Sequence, residues 1–497
     1  MADASDGSRI SARISLEIDG ETYFPKCINE YGLIFESIHL SKNQRFKALY
    51  ARDQGVLAIE LPNDAKRINV YATRGFQYLP AQASATINGN RTRVRLELER
   101  WVDLDRLGWI AVEEHIHYDR LDPADDDRWL DILEAEGLSA AHFMTLKGGM
   151  TPGVWSRQYA HGTEGQANNA SALLVPGQEY RDSAQGHINL LGTTELIEPY
   201  STGGMGWPKI VENYPPLFDV LTEAQSQGGL AGAAHGGTLG KSPTAIADAI
   251  LGGIDFWEIS NGFIYRTVNW YRLMNAGIFL PPLAGTDLPN SPARETWQPM
   301  LGSIRSYVHT SGRNDMDSFA RSLKEGRMFI SGGPVIELNA NGKTLGEIVQ
   351  LSQSGETLAV RATLRSPRPI EEFVIVRNGY PIAAAIEKRV RDGINEWLIE
   401  TEIPFQESGW IAAWARGEEI PAQGDIDVMA HTNAIRIQVG DQPFAYREAK
   451  NDLMQTLKEG KAFYAGNGAY KNNHQRNHAL ELFDRAMAKL ADLPAKD

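Results

Sequence analysis

One cysteine, Cys27, stands in 497 residues, which excludes an intrachain disulfide framework and leaves little thiolate for a metal site. Basic residues are also scarce, and the net charge is −14. A large nucleic-acid footprint needs a basic surface, so the charge predicts no nucleic-acid partner. No apolar run approaches the roughly 18 residues a membrane span requires. The longest candidate, residues 277–285, is broken by Pro281 and Pro282, which predicts no membrane association. The start, Met1-Ala2-Asp3-Ala4-Ser5-Asp6-Gly7, lacks the basic and apolar stretches of a leader. The expectation is a cytoplasmic protein as written, or a secreted or periplasmic one if a leader was removed. Low-complexity segments and repeats of fixed period are absent too.

What is present is an ordinary globular composition, 42% hydrophobic and 23% charged, with a length suited to about three domains. Eleven histidines face the single cysteine, so any metal would be held by imidazole and carboxylate.

Hydrophobic period divides the chain. Residues 13–19 alternate with Ile14, Leu16 and Ile18 on one face, and residues 92–99 do so with Val94, Leu96 and Leu98. This predicts an N-terminal β-domain over 1–103. Between 104 and 332, strand-like runs alternate with helical patterns. The strand candidates are 109–113, 138–145, 172–177, 188–191, 230–234, 256–260 and 279–284. Helices are predicted at 127–136 (Leu130 and Leu133 inward, Gly137 ending it), on the Leu217, Val220, Leu221, Ala224 stripe, and from Ser242-Pro243. Alternation of this kind predicts an α/β fold with a parallel sheet, and seven strands favour a barrel. Residues 333–440 return to β pattern: Leu358, Val360, Ala362 and Leu364 alternate, and Asn341-Gly342 and Asn378-Gly379 read as hairpin turns. A β-sandwich is expected there. The tail, 441–497, is helical, and its Leu480, Phe483, Met487, Leu490 stripe must bury against the body or a second subunit.

In a β/α barrel the functional groups sit at the C-terminal strand ends, where the loops converge. The first strand runs into His115-Ile116-His117. In extended chain an H-x-H pair points both rings to one face, as two ligands of one metal require. Glu179 follows the third strand, His187 opens the fourth, His235 follows the fifth and Asp287 the seventh. Each has an ordinary explanation alone, as a loop residue or a cap. Their shared placement favours a metal site.

These motifs resemble a known family. His115-Ile116-His117, Gly177-Gln178-Glu179, Gly186-His187-Ile188-Asn189, Ala234-His235 and Gly285-Thr286-Asp287 follow the motif order of the PHP (polymerase and histidinol phosphatase) metallohydrolases. They are most similar to the carbaryl-hydrolase-like, CehA/McbA-type branch. Segments 98–103, 331–334 and 339–342 extend the likeness over nearly the whole chain. The resemblance implies a distorted (β/α)7 PHP-like barrel between the two β-regions, and hydrolytic activity. It implies that His115, His117, Glu179 and Asp287 hold one divalent metal. Glu179 would bridge to a second, bound with His187 and His235. Where the broader pattern has Thr-Asp-His, this chain has Thr145-Leu146-Lys147, and a further histidine is replaced by Pro289. One or two ions are therefore expected rather than three, zinc first, manganese or iron as alternatives.

The expected chemistry is attack by metal-activated hydroxide on an ester, carbamate or amide carbonyl of a small-molecule substrate. Phosphoester hydrolysis and non-catalytic binding are the alternatives. Asp287 would accept the water proton and His235 or His187 would protonate the leaving group. Tyr118, Arg120, Lys147 and Arg181 are candidates to orient substrate. Trp155, Tyr159, Phe263, Tyr265, Trp270 and Tyr271 would either wall a pocket or pack as core. His142, inside a strand, reads as a buried structural histidine. His39, His161, His309, His431, His474 and His478 lie away from the strand ends. The C-terminal helices are a candidate surface for a homo-oligomer.

Overall fold

The computed structural model describes residues 1–39, 44–53, 55–147, 154–182, 184–199, 213–237, 242–261, 264–289, 301–417 and 428–496. It is a mixed α/β fold rich in sheet, with seven α-helices among the described residues. The strands that build the site are labelled β1 (Trp109–Ile116), β2 (Ala140–Lys147), β3 (Leu173–Asp182), β4 (Gly186–Leu191), β5 (Leu230–Ala233), β6 (Phe256–Asn261), β7 (Pro282–Gly285), β8 (Arg305–His309) and β9 (Met328–Ser331). The helices are α1 (Ala124–Ala135), α2 (Leu217–Ser226), α3 (Pro243–Leu251), α4 (Val268–Asn275), α5 (Met316–Glu325), α6 (Arg447–Asn467) and α7 (Asn473–Asp492).

All seven strand candidates of the middle region are strands, but the sheet is not all parallel. β1, β2 and β3 pair in parallel, as do β5, β6 and β7. β4 runs antiparallel to both β3 and β5. The reason is local: only three residues separate β3 from β4, enough for a hairpin and too few for a parallel crossover. The circuit closes where the segment leaving β7 bridges β1, Leu288 opposite Ile116 in parallel. On that same edge, away from β2, β1 also pairs antiparallel with β8, which pairs with β9. β9 then pairs with Met429–Thr432, so the sheet runs on into the C-terminal strands without a break. A separate four-stranded sheet lies beside them, ordered Val335–Ala340, Glu356–Ser366, Ile394–Phe405, Glu387–Arg391. Its Leu358, Val360, Ala362 and Leu364 are buried, as their alternation predicts.

The N-terminal six-stranded sheet is antiparallel, with Ala12–Ile18 at its centre and Ile14, Leu16 and Ile18 buried in its core. Residues 92–99 differ from expectation, since only Glu97–Leu98 is strand. Their alternation does bury Leu96 and Leu98, but a ladder also needs a partner backbone, and only Ala2–Asp3 pairs there. Tyr50 Oη donates to Glu136 Oε1 (2.8 Å), fastening this sheet to the end of α1.

The helices follow their stripes. Leu130 and Leu133 of α1 are buried, as are Leu217, Val220, Leu221 and Ala224 of α2. α3 starts at Pro243, although the Ser242 side chain makes no capping bond. The tail stripe is spent inside the chain. Leu480, Phe483 and Leu490, with Met487 at the margin, join the core formed by Ile246 and Ile250 of α3 and Leu453 and Leu457 of α6. The stripe thus buries against the chain's own body, the first of the two expected alternatives, and is spent there rather than on a second subunit. No helix of the described residues is long and apolar enough to cross a membrane.

Candidate metal centre

Two irregularities aim the site. Between Ala141 and Phe143 of β2, β1 advances from Glu113 to Ile116, one residue too many. Such a bulge re-aims the side chains beyond it, here His115 and His117. Likewise β6 carries an extra residue between Glu258 and Ser260 against β7. Glu258 and Asn261 both reach histidines of the site. β3 and β4 need no irregularity: Glu179 pairs with Asn189 and Arg181 with His187, so the two-residue period sets all four on one face.

Glu179 and Arg181, expected in a loop after the third strand, lie within β3, and His115 lies within β1. Asp287 is placed by backbone bonds. Its N–H donates to His115 O (2.7 Å), and His117 N–H to Leu288 O (2.6 Å). Asp287 and His235 have φ of +54° and +56°, a left-handed conformation that costs energy outside glycine and tends to gather at functional sites. The approach at β7 is close enough to require glycine. A Cβ on Gly285 would stand 2.6 Å from both Cβ and N of His115. Glu113 ties the same strands together, accepting from N–H of His115 (3.2 Å), Thr286 (2.8 Å) and Gly302 (2.9 Å). Burial raises its carboxyl to about 7 against those donors.

Six sequence-predicted ligands come together. His117 Nε2 lies 3.1 Å from His115 Nε2, 3.2 Å from Glu179 Oε2 and 3.1 Å from Asp287 Oδ1. His115 Nε2 is 3.7 Å from both carboxylates. Four ligands at 2.0–2.2 Å in a tetrahedron stand roughly 3.3–3.6 Å apart, so these spacings fit one small divalent ion. The other oxygen of Glu179, Oε1, lies 3.1 Å from His187 Nδ1 and 3.2 Å from His235 Nε2. That second set supplies three corners and shares Glu179 with the first. Among the described residues, the groups able to hold a metal include these four histidines and no others.

The donor chemistry agrees. His117 Nδ1 faces Met144 O (3.0 Å) and His115 Nδ1 faces Glu258 Oε1 (2.9 Å). A proton on each Nδ1 satisfies both acceptors and leaves an Nε2 lone pair for an ion. Asp287 Oδ1 is buried in the cluster without a hydrogen bond. The buried His, Glu and Asp groups can therefore hold a divalent metal.

Electrostatics favours anionic carboxylates here. Burial would raise Glu179, but Arg181 and the neighbouring histidines overcome it and hold it well below the usual carboxylate value. Asp287 is lowered against its burial, chiefly by His115. Burial, with Arg181 beside it, lowers His187 to about 4, leaving a neutral ring suited to ligation.

Other candidates fall elsewhere. The Arg181 guanidinium, expected to meet substrate, is buried on Glu179 Oε2 through Nη2 (2.7 Å) and Nε (2.9 Å). Lys147 is the half-buried last residue of β2, one past Leu146, which pairs with Glu179. Arg120 is buried on Asp126 and Gly165 O, and Tyr159 Oη donates to Asp126. Tyr118 packs between Phe35 and Trp129. Trp270 and Tyr271 are packed with Trp410 and His431, as core rather than wall. Phe263 and the Trp155 side chain lie outside the described residues. His142 is buried, held neutral by desolvation at about 4, and packs against Phe319.

Glu258 escaped sequence reading. Its signal was a lone carboxylate in the apolar run Phe256-Trp257-Glu258-Ile259, where a buried charge needs a partner.

No family model matches the chain, and no curated protein does. Two solved structures similar to it are of endonuclease Q. One is the lesion-specific endonuclease from Pyrococcus furiosus, 13% identical with a TM-score of 0.26. The other is an endonuclease Q complex with a 27-mer duplex bearing an abasic lesion at the active site, 14% identical with a TM-score of 0.29. Each match covers 44% of this chain and 56% of the other, so this chain spans little more than half their length. Two expectations are corrected. The carbaryl-hydrolase-like assignment is not upheld, since these neighbours are endonucleases and no family model supports that branch. The exclusion of nucleic acid also falls, since one neighbour is a complex with duplex DNA, and a net negative charge does not preclude a local binding surface.

Proposed function

We propose that the chain is a divalent-metal-dependent hydrolase, with residues 104–332 as its catalytic unit. One observation carries this reading: two buried donor sets, with spacings of 3.1–3.7 Å in the first, share the carboxylate of Glu179.

Held by these residues, a divalent ion would supply a bound water with its pKa lowered from 15.7 toward about 7 and a Lewis acid for a substrate oxygen. The chain's own groups do the rest. Glu179 spans both sets, and Arg181 keeps it anionic. Asp287, with Oδ1 turned to the first set, offers its other carboxylate oxygen, Oδ2, to the proton of the attacking water. His235, the most exposed of the four histidines, protonates the leaving group when only the first set is occupied. The proposed bond is an ester, carbamate or amide carbonyl; of the two cations expected to grip a phosphate, Lys147 and Arg181, Arg181 is committed to Glu179, which supports that choice.

The test is metal analysis of the purified protein joined to turnover of carboxylic esters, carbamates, amides, phosphomonoesters and phosphodiesters, oligonucleotides included. One or two ions per chain are expected, with carbonyl hydrolysis that a chelator abolishes and zinc or manganese restores. Protein without stoichiometric metal, or activity that survives metal removal, overturns the proposal. Turnover confined to phosphoesters overturns the bond assignment alone.

A further inference from the structure

Beneath the two donor sets lies Glu258, a fully buried carboxylate on β6. Its Oε1 faces His115 Nδ1 at 2.9 Å. Its Oε2 accepts the backbone N–H of His235. Its main-chain carbonyl accepts the N–H of Gly236 (2.8 Å). The three contacts reach residues of both sets: the first set's His115 by its ring, the second set's His235 by the strained backbone that aims it. On the other side of His235, the Asn261 amide meets Nδ1.

We infer that Glu258 is a positioning residue that sets His115 and His235 together, so that one carboxylate keeps both donor sets in register. This rests on the metal reading above. Glu258 is not itself a ligand of the first set. It sits on the Nδ1 side of the His115 ring, and a neutral imidazole offers one lone pair, which Nε2 directs at His117, Glu179 and Asp287. By accepting the Nδ1 proton, Glu258 selects that tautomer and makes Nε2 more basic. By accepting the His235 N–H, it holds a backbone with φ +56° that would otherwise relax toward negative φ.

Substitution by glutamine separates the two duties. An amide has one oxygen. With its oxygen toward His115, its NH2 meets the N–H of His235, donor against donor. Turned round, its NH2 faces His115 Nδ1 and forces the proton to Nε2, which removes that atom as a ligand. E258Q can satisfy only one set. E258D keeps the charge but is one methylene shorter, so it too reaches only one of its two partners.

The experiment loads apo protein with cobalt(II) and follows uptake by visible absorption, with metal-to-protein ratios measured after dialysis against buffers of graded chelating strength. Circular dichroism reports folding. Wild-type protein is expected to fill both sets. E258Q, folded, is expected to bind at least one ion about 10–100-fold more weakly, with an altered cobalt spectrum. E258D is expected to recover one of the two affinities, and it is read in place of E258Q if E258Q does not fold. A folded E258Q, or E258D read in its place, with both wild-type affinities and the wild-type spectrum overturns the inference and leaves the metal reading standing. Wild-type protein that takes up no cobalt overturns the metal reading, and this inference with it.

Discussion

Gly285 is the residue on which the approach of β7 to β1 depends. An added methyl would meet His115 at 2.6 Å and Glu113 Oε1 at 2.8 Å, and buried backbone cannot yield that much. Gly285→Ala is therefore expected to destabilise the fold by about 1–3 kcal/mol, the usual cost of overpacking. The same push moves His115 and should weaken metal binding by about tenfold or more. Thermal melts and cobalt titration check both, and a variant unchanged in each contradicts this account. The six proposed ligands were legible in the sequence because each stands in or beside an apolar run, where its polarity stands out. Glu258 was not. Whether a strand residue faces inward depends on register, and the extra residue after Glu258 appears only against the pairing of β7.

At the level of elements, α7 shows how far a pattern can be read. Its stripe stated that a face must be buried without stating against what. The structure places Phe483 on Tyr464 of α6, ring centroids 5.7 Å apart, within a core shared with α3. Phe483→Ala should lower unfolding free energy by about 3–5 kcal/mol, the range for a buried phenylalanine. Urea denaturation measures it, and a loss below about 1 kcal/mol would mean that the face is not packed as described. β4 teaches the complementary lesson. Its apolar run was visible, but its antiparallel direction follows from the three-residue link to β3, which the alternating pattern alone did not weigh.

Across the whole molecule, one sheet passes from β1 and β8 through β9 into the C-terminal strands, and His431 lies buried at that junction, opposite Ile330. Desolvation lowers its pKa to about 4 from an ordinary 6.5. Between those values the unfolded chain binds the extra proton, so His431 favours the fold above pH 6.5 and that contribution is lost as pH falls toward 4. The loss is on the order of 3 kcal/mol. The stability difference between wild type and His431→Asn, followed by urea unfolding at several pH values, should shrink from wild type's side as pH drops from 6.5 to 4. A difference independent of pH would show that His431 titrates in the fold as it does in the unfolded chain and contradict this account.

The sequence by itself determined the donor types on offer, the first seven strands of the middle region with α1, α2 and α3 among them, and which faces are apolar, because ligand chemistry and periodicity are local properties. Only the tertiary structure decided that Arg181 is spent on Glu179 rather than on substrate, and that Glu258 underlies both sets. Those outcomes depend on bulges, strand direction and backbone approaches of a few ångströms between segments more than a hundred residues apart. Such distances are set by packing, which no short stretch of sequence encodes.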